Sequence, residues 1–163
     1  MKNKYSSSPS TEIITEYIMS YLAPLDPPIT VDGGMIIANV RPGGWVKGPK
    51  ICGQFIAPGA DWLRIMPSGV FRLDVRGLIQ TNDNAYIYLT YNGIMKNSVE
   101  SAERLIGGEL LTDKDVPYFV AAPTFQTSSE KYSWLNEIQT INKMTEIQFG
   151  KEGYVKYDVF AIR

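Results

Sequence analysis

Two long alternating runs joined by three polar residues constrain this chain more than any other feature. In residues 70–80, Phe71, Leu73, Val75, Gly77 and Ile79 occupy one parity, and Val70, Arg72, Asp74, Arg76, Leu78 and Gln80 occupy the other. A period of two belongs to a strand whose two faces see different surroundings. Residues 85–94 repeat the pattern, with Ala85, Ile87, Leu89 and Tyr91 set against Tyr86, Tyr88, Thr90 and Asn92. A slip of one residue would bring apolar faces against polar ones, so the turn has to match the register. Pairing Thr81 with Ala85 around Asn82-Asp83-Asn84 puts Arg76 opposite Thr90 and Asp74 opposite Asn92. This requires a three-residue loop ending in the left-handed region, a conformation that asparagine tolerates. A two-residue loop would set Arg76 against Leu89 and is rejected.

The remaining segments also read mainly as strands: 12–22, 35–40, 45–56 with a bend at Gly48-Pro49, 61–65 after a Pro58-Gly59 turn, 117–127, 132–142, 146–149 and 154–161. One helix is predicted after Ile94. Asn97 or Ser98 caps it, Glu100 lies three residues on from Asn97 as in a capping box, and Gly107-Gly108 stops it. Its apolar stripe is Val99, Ala102, Leu105 and Ile106. Many short antiparallel strands with one helix leave a sandwich or a closed barrel. Gly53 and Gly77, inside long strands, favour the barrel, whose wall must bend strongly. The expected fold is therefore all-β, a single antiparallel β-barrel of about eight to ten strands with one short helix.

A chain of 163 residues suits one domain, assigned to residues 11–163, behind a serine-rich opening, 1–10, read as a mobile tail. The net charge of -1 gives no electrostatic case for nucleic acid or an acidic membrane. No stretch is apolar enough for a leader or a membrane span, so the expected location is the cytoplasm. The absence of histidine removes Ser-His-Asp and Cys-His catalysis and the usual zinc sites. No carboxylate spacing suggests a metal, and no cofactor is implied. The single cysteine, Cys52, reads as a small core or barrel-wall residue.

Several motifs together resemble a known family. They are Gly48-Pro49 with Gly53, Pro58-Gly59-Ala60-Asp61-Trp62, Leu73-Asp74-Val75-Arg76 after Gly69, Ala85-Tyr86-Ile87 after Asp83, Gly93, Pro123-Thr124-Phe125-Gln126-Thr127 and Tyr132-Ser133-Trp134-Leu135-Asn136. From about residue 11 to the C-terminus the chain resembles the uncharacterised family filed as domain of unknown function number 3237. It departs from that family's pattern at Asn84, Val120 and Gln126, where the family often has Gly, Arg and Glu. The resemblance implies a β-barrel of lipocalin or calycin-like appearance and carries no established activity.

The candidate site follows from the hairpin's polar parity. Asp74 and Arg76 project to one face, with Tyr88, Thr90 and Asn92 beside them across the hairpin. Two placements are open: a lumen lined by these groups, or a solvated exterior stripe with the apolar parity as core. Recurrence of Asp-x-Arg in the family motif tilts the expectation towards the lumen. Asp61 is either a turn acceptor or a pocket wall, and Trp62, Trp134 and Asn136 are either core or the same wall. The expected function is uptake of a small organic molecule, such as a carboxylate or carbonyl compound that Arg76 pairs with. The alternative is a cofactor-free isomerase, cyclase or lyase using Asp74 as base, with Arg76 and Tyr88 holding the oxyanion. A polar lumen would leave apolar side chains outside, which predicts a homodimer.

Overall fold

The computed structural model describes residues 8–163, so most of the expected tail, 1–10, lies outside the described residues. The strands are β1 (Thr15–Pro24), β2 (Ile29–Asp32), β3 (Met35–Asn39), β4 (Trp45–Lys47), β5 (Cys52–Ile65), β6 (Val70–Thr81), β7 (Tyr86–Lys96), β8 (Leu111–Thr112), β9 (Tyr118–Ala121), β10 (Thr124–Gln126), β11 (Thr140–Gln148) and β12 (Tyr154–Ile162). Helix α1 (Val99–Ile106) follows β7, and a 3-10 helix spans Glu130–Glu137. The antiparallel order β5-β6-β7-β9-β11-β12-β1-β4 returns to β5 and closes an eight-stranded barrel. Strands β2, β3, β8 and β10 extend it as short neighbours of longer strands.

The central hairpin has the register that its two patterns require. Asp74 lies opposite Asn92, Arg76 opposite Thr90, and Thr81 N–H bonds to Ala85 O across the three-residue turn. Asn84 adopts φ 64°, the left-handed conformation that the loop demands. The apolar parity faces inward: Phe71, Leu73, Val75 and Ile79 pack with Ile87 and Leu89. This settles the open orientation, because the barrel interior is the protein's core and only the apolar parity is fit to be removed from water. The premise for a dimer goes with it, since that premise required the apolar parity outside.

Long glycine-containing strands curve this wall. A Cβ on Gly77 would stand 2.5 Å from the Phe55 ring, so glycine lets that ring cross the barrel interior. The expected Pro58-Gly59 turn is instead a bulge inside the continuous strand β5, containing a cis Ala57-Pro58 bond and shifting the β5–β6 register between Ile56 and Ala60.

Other expectations need correction, among them residues 45–56, which are not one bent strand: β4 and β5 pair antiparallel across the turn at Gly48-Pro49. Residues 132–142 are not one strand: the 3-10 helix precedes β11 and buries Tyr132 and Leu135, three residues apart on one side. Helix α1 is capped by Ser98 with Ser101 completing the box, and it buries Ser101 and Leu105 while Val99 and Ile106 stay exposed. Cys52 is exposed, because Gly53 and Phe55 take the inward parity.

The two barrel ends differ. At the β6–β7 turn the 3-10 helix forms a plug, where Tyr132 Oη donates to Asp83 at 2.9 Å and Lys131 Nζ pairs with the same carboxylate at 2.6 Å. At the end of the β5–β6 and β11–β12 turns the interior is left partly open.

Candidate functional site

The open part of the lumen is walled by β1, β3, β5, β6, β7, β9, β11 and β12. Most of its lining is aliphatic or aromatic, including Leu63, Leu73, Val75, Met95 and Phe119. About 40 Å³ is open to the centres of water molecules, room for roughly three waters before any side chain moves. Among the described residues that line it, only three carry polar side chains: Asp61, Tyr91 and Tyr157.

Asp61 points inward on the parity it shares with Gly53, Phe55 and Leu63, which the two-residue register shift of the β5 bulge preserves, and it lies opposite two inward-facing residues, Ala38 on β3 and Val75 on β6. Between the pairs Asp61/Val75 and Arg64/Arg72 the β5–β6 ladder is interrupted. There Asp61 Oδ1 accepts the backbone N–H of Asp74 at 3.0 Å. Burial pushes the Asp61 carboxyl from its ordinary 3.8 up to about 7, opposed by the Asp74 N–H and reinforced by the Asp74 charge. The group is therefore poised to take up or release a proton near neutrality.

Tyrosines from three strands that are distant in sequence meet beside it. Tyr21 (β1) stacks on Phe55 with ring centroids 5.0 Å apart, Tyr157 (β12) lies 5.3 Å from Tyr21, and Tyr91 (β7) meets Tyr157 edge-on at 6.0 Å. The Tyr21 hydroxyl accepts from Asn142 Nδ2 at 3.2 Å, and Asn142 Oδ1 in turn accepts the Ala121 N–H at 3.1 Å. Burial holds all three phenols well above their ordinary pKa, with smaller contributions from one another and, for Tyr91 and Tyr157, from Asp61. They are protonated donors at any physiological pH.

Of the candidate site residues that the sequence suggests, Asp61 alone lines this cavity. Asp74 and Arg76 form a 3.3 Å ion pair on the outer face, with Arg76 52% and Asp74 36% exposed. Arg76 also lies 5.3 Å over the Trp62 ring, and Trp62, Arg76 and Tyr88 share an exterior groove. Thr90 and Asn92, on the same face, donate to the backbone oxygens of Val75 and Leu73. Trp134 is half-buried beneath Lys50, and Asn136 clamps the backbone of Thr127 through both its amide atoms, at 2.8 and 2.9 Å. The polar face of β6 and β7 thus lies outside the barrel and not in the lumen, and the lumen's neighbours Tyr21, Tyr91 and Tyr157 are not among the candidates that the sequence suggests. Nothing local marks those tyrosines, which converge only when β1, β7 and β12 close the barrel. Among the described residues, no group of three or more His, Cys, Asp or Glu side chains is placed to hold a metal, and no helix is long and apolar enough to cross a membrane.

The fold and site define an antiparallel β-barrel whose apolar lumen holds one carboxyl group among phenols. The chain belongs to the family described as Protein of unknown function (DUF3237), which matches residues 15–162. A UPF0311 protein of Rhodopseudomonas palustris, RPA1785, is 38% identical over 93 residues, an alignment spanning 57% of this chain and 60% of that protein. Its crystal structure superposes with a TM-score of 0.84 at 27% identity, covering 94% of this chain and 99% of that one. A β-barrel like protein of Acinetobacter baumannii superposes with a TM-score of 0.74 at 30% identity, covering 97% and 100%. The Hydroalkoxylation enzyme phnH of Penicillium herquei is 36% identical over 110 residues, 66% of this chain and 58% of that protein.

Proposed function

We propose that the protein takes up a small neutral organic molecule in its lumen and that Asp61 moves a proton on it, making it a cofactor-free cyclase or isomerase. The observation that carries this reading is the Asp61 carboxyl, raised to about 7, in an apolar cavity beside Tyr91 and Tyr157. A general base works best when its pKa lies near the working pH. Among the described residues no lysine or arginine lines the cavity, so an acid would enter against Asp61 without a cation to meet it. The ligand is therefore neutral, and its entry displaces flexible lining such as Met95.

The chemistry that suits these groups is addition of a hydroxyl across a C=C bond conjugated to a carbonyl. Asp61 accepts the hydroxyl proton, and the oxygen adds to the far carbon. The π pair moves onto the carbonyl oxygen, where a phenol O–H of Tyr91 or Tyr157 meets the developing charge. Protonated Asp61 then returns the proton to the carbon next to the carbonyl. One O–H and one C=C π bond are exchanged for a C–O and a C–H bond, so no oxidant or reductant takes part. The relative named as a hydroalkoxylation enzyme supports the reading, since hydroalkoxylation is addition of O–H across a carbon–carbon multiple bond.

Cyclisation of 2′-hydroxychalcone to flavanone, followed by absorbance, tests this class of reaction. The protein is expected to accelerate ring closure over buffer, and Asp61→Asn to lose about 10²–10⁴ of that acceleration. A protein no faster than buffer, or an Asp61→Asn variant as fast as the parent, contradicts the proposal.

A further inference from the structure

The outer face of the same wall carries a second constellation. Across β11, β9, β7, β6 and β5 one row of residues runs Lys143, Val120, Ile94, Arg72, Arg64, each opposite the next. Arg64 and Arg72 are thus like charges set directly across from one another, an arrangement that weakens a sheet. Both are exposed, and among the described residues no ion pair reaches either of them. The acid one step along β6, Asp74, is engaged with Arg76. At the far end of the row Lys143 stands opposite Asp158, and Lys96 stands opposite Tyr118.

These two guanidiniums open onto a groove of about 450 Å³, a size typical of small-ligand sites. Its lining includes Asn92, Ile94, Tyr118 and Val120 and, among the described residues, contains no acidic side chain. Tyr118 is 49% exposed and Ile94 36%. Cations at one end and an apolar, aromatic floor beside them ask for a ligand with one compact anionic head and a flat uncharged body. A guanidinium fork matches a carboxylate in two parallel hydrogen bonds, and an anion between two such forks removes their repulsion.

We propose that this groove binds the anion of an aromatic carboxylic acid, with the carboxylate between Arg64 and Arg72 and the ring on Ile94, Val120 and Tyr118. The site is independent of the lumen reading. Leu73 stands in the wall between the two spaces and lines both, and among the described residues the lumen has no cation to receive such an acid.

Isothermal titration with 2-naphthoate at fixed ionic strength tests the site, with acetate, inorganic phosphate and 2-naphthalenemethanol as comparison probes. The expected result is saturable binding of 2-naphthoate at one site per chain and at least tenfold weaker binding of each comparison probe. Arg64→Gln and Arg72→Gln should each weaken 2-naphthoate at least tenfold, whereas Asp61→Asn should leave its affinity unchanged. Without ligand, both arginine variants should melt no lower than the parent, because they relieve a like-charge pair; this separates lost recognition from lost folding. Absence of saturable binding, undiminished affinity in Arg72→Gln, or loss in Asp61→Asn would each overturn the proposal. Equal binding of acetate or phosphate would overturn the assignment of an aromatic ligand.

Discussion

Asp61 on β5 and Asp74 on β6 meet through one hydrogen bond, 3.0 Å from the Asp74 N–H to Asp61 Oδ1, at the point where the ladder between their strands is interrupted. The contact holds the Asp61 carboxyl against the wall yet does not offset its burial, so its pKa stays raised at about 7. In the unfolded chain the same group titrates near 4. Below pH 4 both states hold the proton and the group contributes nothing. Between pH 4 and 7 the unfolded state releases its proton first, so stability falls as pH rises, and above 7 the penalty is constant. Its upper limit is about 4 kcal/mol, reduced by whatever water reaches the cavity.

Asp61→Asn keeps an oxygen for the Asp74 N–H and removes the titration. The variant should match the parent in denaturant midpoint near pH 4 and become progressively more stable than the parent up to pH 7. Chemical denaturation at four or five pH values checks this, and a constant difference across the range would refute it.

Arg76 is exposed and its ion pair with Asp74 lies outside the barrel. Arg76→Ala should therefore cost only about 0–1 kcal/mol, the worth of an exposed pair, rather than the roughly 3–5 kcal/mol of a stranded buried charge. A urea midpoint lowered by the larger amount would contradict the outward placement of this face.

The hairpin's register and its turn were legible because both are local. Parity and the left-handed tolerance of Asn84 together leave one pairing. Which parity faces inward is not local: an alternating strand looks the same with either side in the lumen, and burial of Phe71, Leu73 and Val75 decides it. The Asp-x-Arg motif pulled the expectation to the wrong side, since motif recurrence says nothing about direction. Asp61 shares the inward parity of Gly53 and Phe55, but reading Pro58-Gly59 as a turn breaks the strand between them, so that parity is not carried across to it. The 3-10 helix was hidden because Tyr132 and Leu135 give only one repeat of its period.

Asp83 ties the β6–β7 turn to the plug. Lys131, Thr81 and Tyr132 all donate to it and hold its carboxyl well below the usual carboxylate range. A depressed folded pKa adds stability above the unfolded value near 4, and that stability fades as pH falls through the folded one. Asp83→Asn should accordingly lower the melting temperature at pH 7, with the gap to the parent narrowing below pH 4. Thermal scans at pH 7 and pH 3 read this out; a gap that persists unchanged at pH 3 would show that charge is not what anchors the plug.

The proposed chemistry rests on a single proton at a single carboxyl. The most direct measurement is the carbon-detected titration of the Asp61 carboxyl, assigned by its disappearance in Asp61→Asn. A midpoint near 7 is the predicted result, and a midpoint near 4 would show a solvated carboxylate with no special capacity for proton transfer.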